Sequence, residues 1–196
     1  MSTAKKLLIT EQEYLDGEMI SDIKHEFIDG QVYAMTGTSD DHNRISVNVL
    51  SELRQQLKGQ LCEPFIADMM LKTDENIFYP DVMVICQPDE ADTKLVKHSP
   101  TVIVEVLSPS TRRTDVTIKK SAYLSLPSLQ EYVVIEQDKC EIQVFRRSNN
   151  WVSAYYFLGD EIVFESIGVS LPVEEIYDRV INEDMTVFLA QSEANR

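Results

Sequence analysis

The ten residues VIVEVLSPST, from Val102 to Thr111, place one carboxylate, Glu105, inside an otherwise apolar run. Five of the six residues from Val102 to Leu107 are valine, isoleucine or leucine, which predicts a strand buried on both faces. An unpaired carboxylate in such a strand costs several kcal/mol or takes up a proton. The stretch therefore predicts a buried central strand and raises the question of what Glu105 does there.

The composition is that of an ordinary globular protein. The chain has 196 residues, of which 43% are hydrophobic and 26% charged, and we expect one domain over residues 1–196 with its core at about 9–180. The first ten residues, MSTAKKLLIT, carry too short an apolar run for a signal peptide, and no later run is long enough to cross a membrane. These features predict a cytoplasmic protein without a membrane partner.

Cysteine usage favours the same compartment. The three cysteines, Cys62, Cys86 and Cys140, are odd in number and lack C-x-x-C spacing. Two of them lie in apolar runs, so we expect buried, reduced thiols.

The charge is strongly acidic but unevenly distributed. The net charge is −15 at pH 7, which argues against strong non-specific binding to nucleic acid. The segment from Lys94 to Lys120 is nevertheless basic, with six lysines and arginines against two acidic residues. Such a segment suits either a phosphate ligand or a solvated loop and helix face, and charge alone favours the second interpretation.

Periodicity and turn residues predict the order of the elements. Thr10 begins a short helix, Asp29-Gly30 marks a hairpin, and Ser39 caps the longest helix, which ends near Gly59. We expect the remaining strands and helices in the following ranges: strands at 62–67, 69–72, 81–86, 102–107, 132–136, 141–147 and 151–158, and helices at 114–126 and over LPVEEIYDRV, residues 171–180. This order predicts an α/β or α+β domain with a mixed sheet flanked by helices.

Four charged residues lie where the surrounding pattern is apolar: Glu26, Asp81, Glu105 and Lys119. Neighbouring strands could bring Asp81 and Glu105 side by side, where two anions repel unless a cation lies between them. A hard divalent ion such as Mg²⁺ prefers carboxylate oxygens, and Glu26 could hold one of its waters. A nearby lysine could then orient or help to deprotonate the attacking water, or stabilise charge on a phosphate.

Each of these residues also has a structural interpretation. An aspartate after proline, as in Pro80-Asp81, is commonly a turn or cap residue, and a lone strand glutamate commonly faces water at a sheet edge. Lys119 and Lys120 would by default belong to an exposed helix face. Glu105 is the exception, because Ile103 and Leu107 on its own face are apolar.

Three motifs carry a resemblance to a known family: YPDVMVIC (79–86), VIVEVLSPST (102–111) and KKSAYLSLPSLQEYVVIE (119–136). Together they resemble a family of putative restriction endonucleases, long described as a domain of unknown function, in the PD-(D/E)XK nuclease superfamily. The hairpin HEFIDGQVYAM, the helix near His42 and the closing LPVEEIYDRV are also similar to that family, so the resemblance covers roughly residues 9–180.

The resemblance implies a restriction-endonuclease-like fold with an N-terminal β-hairpin and extra C-terminal strands. It also implies metal-dependent hydrolysis of DNA phosphodiester bonds with Mg²⁺ or Mn²⁺. By position, Asp81 and Glu105 would be metal ligands, the Val106 carbonyl a possible third, and Glu26 a helper carboxylate.

The chain departs from the superfamily pattern at Leu107, where a lysine is usual. The resemblance moves that lysine to the following helix, as Lys119 or Lys120. Helical spacing puts Lys119 on the same side of the helix as Tyr123, which we expect to lie in the core, and this favours Lys119 over Lys120. His42 and Ser108 are further candidates for contact with the site.

Two functions remain open from the sequence. One is a magnesium-dependent DNA endonuclease, for which a homodimer would match the two-fold symmetry of the duplex. The other is a catalytically inactive nuclease-fold protein that acts as a binding or assembly domain, as the net charge of −15 would suit.

Overall fold

The computed structural model describes residues 8–194, so the ends of the predicted domain, residues 1–7 and 195–196, lie outside the described part. The helices of that part, one of them continued by a π-helical segment, are α1 (Glu11–Glu18), α2 (Asp40–Gln56), α3 (Arg112–Thr114) with the π-helical segment Asp115–Lys119, α4 (Lys120–Ser125), α5 (Val173–Ile176) and α6 (Glu183–Ala194). None of these helices is both long and apolar enough to cross a membrane.

The strands form three sheets. Their bounds are β1 (His25–Ile28), β2 (Gln31–Ala34), β3 (Glu63–Ile66), β4 (Met70–Lys72), β5 (Ile77–Phe78), β6 (Val82–Ile85), β7 (Val96–Lys97), β8 (Val102–Leu107), β9 (Glu131–Glu136), β10 (Glu141–Arg146), β11 (Ser153–Phe157), β12 (Glu161–Phe164) and β13 (Val169–Pro172). The sheet orders are β11-β10-β9-β8-β6-β3, β2-β1-β5-β4-β7 and β12-β13. The two larger sheets are mixed, because β8 runs parallel to β9 and β4 parallel to β7. The predicted fold class, a mixed sheet flanked by helices, is confirmed.

β8 lies inside the six-stranded sheet and is buried along its whole length, as the apolar run predicts. Its odd and even residues face two different cores. Val102, Val104 and Val106 pack with α2, β12 and β13 in one core. Ile103 and Leu107 pack with residues of α4, β5 and β9 in the other core. Glu105 lies between Ile103 and Leu107 on the same face of the strand and therefore points toward the second core.

The N-terminal hairpin and the long helix begin as the turn and cap residues predict. Asp29 and Gly30 both have positive φ, 50° and 74°, which a two-residue turn between twisted strands requires. Ser39 Oγ accepts the His42 N–H at 3.1 Å and so caps α2. The cap fixes the first turn of α2, and with it His42, near the end of β8.

The predicted helix from Thr114 to Leu126 begins two residues earlier and is interrupted. The interruption is the π-helical segment Asp115–Lys119, between α3 and α4. π-Helical turns are rare and occur often at functional sites. The periodicity of the sequence gives no sign of it, because Val116 and Ile118 are apolar and suggest a different buried face.

Two predictions near the C-terminus are wrong. LPVEEIYDRV is not one helix: Leu171 and Pro172 end β13, and α5 ends at Ile176, before Arg179 with its positive φ of 60°. The last helix is α6, which the sequence pattern does not predict because only Met185 of its residues is buried. The strand predicted from Trp151 begins at Ser153, since Trp151 also has positive φ, 61°.

The prediction of reduced thiols is wrong for two of the three cysteines. Cys62 and Cys86 form a disulfide, and Cys140 is a buried free thiol. The cause is strand register: Glu63 pairs with Ile85, so the next residues outward on the antiparallel pair face each other. Neither the odd count nor the spacing could reveal that register. The cytoplasmic location, which partly rested on reduced thiols, stays a prediction.

Candidate functional site

The site is built where β6 begins beside β8. Val82 of β6 pairs with Val104, so Asp81, one residue earlier, lies next to Glu105 and Val106. The Val106 N–H donates to Asp81 Oδ2 at 2.8 Å, and the Asp81 N–H approaches Glu105 Oε2 at 3.4 Å. The register of two buried strands therefore brings together Asp81 and Glu105, the two carboxylates predicted as metal ligands.

Lys119 completes the cluster from the π-helical segment. Its Nζ lies 2.9 Å from Glu26 Oε1 and 3.2 Å from Glu105 Oε1. A third carboxylate, Asp115, places Oδ1 3.2 Å from the same ammonium. The side chains of Lys119, Glu26, Glu105 and Asp115 are all buried. The structure thus brings Glu26, Asp81, Glu105 and Lys119 into one cluster.

Burial and charge determine the protonation of this cluster. The pKa of Glu105 is raised well above its ordinary value by burial, with Lys119 opposing the shift and Asp81 adding to it. Burial lowers the pKa of Lys119, but Glu105 and Glu26 outweigh that effect and raise the pKa well above its ordinary value. The neighbouring carboxylates therefore favour the ammonium form of Lys119, whereas burial disfavours the anionic form of Glu105.

The two lysines that the sequence left as rivals point in different directions. Lys120 Nζ lies 3.6 Å from the centre of the Phe145 ring, on a different side of the helix from Lys119. Burial lowers the pKa of Lys120. Lys120 therefore packs on an aromatic ring, and no contact joins it to the carboxylate cluster among the described residues.

Two residues of the cluster were not recognised as site residues. Tyr123 lies in the core as expected, but its hydroxyl also donates to Glu105 Oε1 at 2.8 Å. Asp115 is one of the two acidic residues in the basic segment from Lys94 to Lys120, yet it is buried and contacts Lys119. Its spacing four residues before Lys119 is the signal that could have found it.

His42 reaches the site from the first turn of α2. Its Nε2 lies 3.3 Å from Asp81 Oδ2. Burial lowers the His42 pKa, but the bond to Asp81 and its charge, together with the Val106 backbone, raise it overall. Ser108 lies at the end of β8 and bonds Ser110 and Thr111 at 2.9 Å rather than the carboxylates. Of the two further candidates, only His42 contacts the cluster.

The cluster opens into a cavity of about 510 Å³. One wall is formed by residues 33–38 and the other by the loop and helix from Ser108 to Lys119. The charged lining residues are four carboxylates, two lysines and a histidine: Glu26, Asp81, Glu105, Asp115, Lys24, Lys119 and His42. Carboxylates outnumber lysines, so the bare cavity repels phosphate unless cations enter it.

Comparison with known proteins gives the family. Residues 11–174 match the Uma2 family model, described as "Putative restriction endonuclease". The chain belongs to the Uma2 family. Two relatives from Synechocystis sp. are similar to it. The uncharacterized protein slr1290 is 35% identical over 86% of this chain and 91% of its own length, and the uncharacterized protein sll1609 is 37% identical over 70% and 80%.

A solved structure supports the fold of this Uma2 chain. It is the crystal structure of a putative nuclease belonging to DUF820 from Anabaena variabilis, with a TM-score of 0.73. The match covers 88% of this chain and 99% of that chain at 18% identity. The two chains share a fold.

The donor set of this Uma2 chain fits a hard divalent cation. Within residues 8–194, no group of three or more histidine, cysteine or acidic side chains is arranged to hold a metal. The candidate ligands here are two carboxylates, those of Asp81 and Glu105, and one backbone carbonyl, that of Val106. Asp81 Oδ1 accepts no hydrogen bond from the described residues, and Glu105 Oε2 accepts only the long one from Asp81. The N–H and C=O of a strand residue point to the same side, so the Val106 carbonyl faces Asp81 as its N–H does. These are the oxygen donors that Mg²⁺ and Mn²⁺ prefer.

Proposed function

We propose that the protein is a metal-dependent endonuclease that hydrolyses phosphodiester bonds in DNA. One observation carries the proposal: a buried ammonium, Lys119, lies within 3.2 Å of both Glu26 and Glu105, and Glu105 in turn contacts the backbone of Asp81. Family membership and the nuclease-like fold support the same reaction class. Mg²⁺ or Mn²⁺ would be held by Asp81, Glu105 and the Val106 carbonyl.

A divalent ion bound there would neutralise the phosphate and make water a stronger nucleophile. The side chains of the protein prepare that position. The Val106 N–H and His42 fix Asp81, and the Tyr123 hydroxyl fixes Glu105, so both carboxylates present their remaining oxygens to the cavity. Fixed ligands avoid reorganisation during the reaction.

Lys119 acts as a charge rather than as a base. Its raised pKa leaves it without a free electron pair near neutral pH. Of the roles that the sequence left open, the ammonium therefore suits stabilisation of negative charge on the phosphate or orientation of the attacking water. Glu26 forms an ion pair with it at 2.9 Å and keeps it at the wall of the cavity.

The test is cleavage of plasmid DNA and labelled oligonucleotides with Mg²⁺, Mn²⁺ or a chelator, alongside RNA of the same sequence. We expect metal-dependent DNA cleavage that Asp81→Ala and Glu105→Ala abolish. Glu90→Ala, at an exposed loop residue outside the cavity, is the matched control and should cleave like the wild type. Cleavage that survives both site substitutions, or cleavage of RNA alone, would contradict the proposal.

The net charge of −15 favours a second candidate, a metal-free domain that binds or assembles without catalysis. Calorimetry distinguishes the two. The nuclease should bind Mn²⁺ at millimolar concentration or below, and Asp81→Ala should remove that binding.

The first proposal also includes a homodimer, which would let two sites cut both strands, and a cytoplasmic location. Light scattering of the purified protein measures the oligomeric state directly.

A further inference from the structure

The π-helical segment Asp115–Lys119 buries the residues that a helix ordinarily exposes. Asp115 and Lys119 are 1% and 4% exposed, whereas Val116 and Ile118 between them are 39% and 44% exposed. Ordinary amphipathic packing would place the apolar pair inside and the charged pair in water. The segment is therefore organised around its buried ion pair rather than around apolar burial.

The backbone of Asp115 is anchored on two sides. Its carbonyl accepts the Lys120 N–H, five residues further along, which is the hydrogen bond that defines the π-helical turn. The hydroxyl of Tyr132, from the buried strand β9, donates to the same carbonyl at 3.1 Å. These two bonds fix the position of Asp115 relative to the six-stranded sheet, and thus relative to Glu105 on β8.

The carboxylate of Asp115 has one partner for its buried oxygen. Asp115 Oδ1 is inaccessible and accepts no well-aligned hydrogen bond from the described residues, and the Lys119 ammonium, at 3.2 Å, is its ion-pair partner. A buried carboxylate held by charge alone is costly, and apolar residues would serve stability as well or better. Stability therefore does not account for it.

We infer that Asp115 is a positioning residue that holds the Lys119 ammonium between Glu26 and Glu105. Its negative charge draws Nζ back against the π-helical turn and limits the rotamers of the long lysine side chain. This inference rests on the proposed function for its catalytic consequence. Without Asp115, the ammonium remains charged but its distance from the reacting phosphate is no longer fixed.

A double-mutant cycle tests the inference with kinetics. We expect Asp115→Asn to lower kcat about 10- to 100-fold, as loss of an orienting partner does, and to change KM little. In a Lys119→Met background the same substitution should have no further effect on kcat, because the residue it positions is gone. Additive losses in the double mutant would overturn the inference.

Glu131→Gln is the matched control for burial and charge. Glu131 is also buried and ion-paired, but with Arg146 and outside the cavity. We expect it to lower stability and to leave kcat of the folded enzyme unchanged. Asp115→Ser is measured in parallel, so that a failure of one variant to fold does not remove the test.

A structural measurement separates this inference from the proposed function. In protein labelled with ¹³C-lysine, the ε-methylene signal of Lys119 is assigned by its loss in Lys119→Met. We expect that signal to shift in Asp115→Asn and to stay in place in Glu131→Gln. An unmoved signal would refute the positioning role even if the enzyme cleaves DNA. A moved signal in a protein that cleaves nothing would retain the positioning role and refute the proposed function.

Discussion

Lys119 Nζ and Glu26 Oε1 lie 2.9 Å apart although 92 residues separate them along the chain. Glu26 belongs to the N-terminal hairpin and its five-stranded sheet, whereas Lys119 belongs to the helix that follows the central strand of the other sheet. The contact therefore joins the two sheets at the site itself. Removal of either charge should therefore change the electrostatic environment of the other partner and of Glu105.

The first prediction concerns the choice between the two lysines. Lys119→Met should lower kcat for DNA cleavage about 100- to 1,000-fold, because it removes a preorganised charge next to the reacting phosphate. Lys120→Met is the matched control and should retain activity, since Lys120 contacts the Phe145 ring instead of the carboxylates. Single-turnover kinetics at saturating metal measure both. Equal losses in the two variants would show that the assignment of Lys119 is wrong.

The second prediction concerns Glu105 and metal. Burial disfavours the Glu105 anion more than the Lys119 charge favours it, and Asp81 adds to the penalty, so a neutral isostere should relieve the net penalty. In the presence of a chelator, Glu105→Gln should raise the free energy of unfolding by on the order of 1 kcal/mol. Mn²⁺ at about 100 times its dissociation constant should stabilise the wild type by about 2.7 kcal/mol and leave Glu105→Gln nearly unchanged.

Thermal and urea unfolding with and without Mn²⁺ measure this effect. Glu90→Gln, at an exposed position outside the cavity, should respond to metal as the wild type does. Equal stabilisation of wild type and Glu105→Gln by Mn²⁺ would mean that Glu105 is not a ligand.

The sequence could predict the site wherever a polar residue interrupts an apolar pattern. Glu105 in its strand and Asp81 at a strand entrance are of this kind, and the hairpin turn and helix caps follow from local backbone preferences. Asp115 could not be found in that way, because its burial depends on a π-helical turn whose stabilising bond comes from Tyr132, 17 residues away. The register that pairs Cys62 with Cys86 is likewise a tertiary property.

The C-terminal errors have a related cause. Residues 173–176 are helical, as their pattern predicts. The residues before them belong to β13, which pairs with β12, and Arg179 after them has a positive φ that is not helical. α6 covers little apolar surface, so its sequence lacks the stripe that reveals a helix. The C-terminal segments therefore have sequence patterns that predict their secondary structure poorly.

The third prediction concerns the ion pair that fastens the C-terminal hairpin to the sheet. Arg146 Nε lies 3.2 Å from Glu131 Oε1, and Glu131 also accepts the N–H groups of Glu165 and Ser166 at 3.1 Å. Arg146→Met should cost about 3 to 5 kcal/mol of unfolding free energy, because it leaves a buried carboxylate without its cation.

The exposed pair of Arg44 with Asp40 and Asp41 provides the comparison. Arg44→Met removes a similar contact in water and should cost less than about 1 kcal/mol. Urea unfolding followed by circular dichroism measures both. Similar losses in the two variants would show that the buried network contributes no more than a surface pair.

The fourth prediction concerns the thiols. Burial raises the pKa of the Cys140 thiol from 9.0 to about 11, so at pH 8 only about 0.1% of it is thiolate, the reactive form. The folded protein should therefore react very slowly with Ellman's reagent. Denaturation should expose one thiol without reductant and three after reduction and removal of the reductant, because Cys62 and Cys86 are paired. Three reactive thiols in the denatured, unreduced protein would show that the disulfide does not form.

The raised pKa of Cys140 also makes stability depend on pH. Since the pKa is raised in the folded state, the contribution of Cys140 to stability is complete below about pH 9 and is lost as pH rises toward 11. Cys140→Ala, which cannot ionise, should remove that part of the alkaline loss of stability.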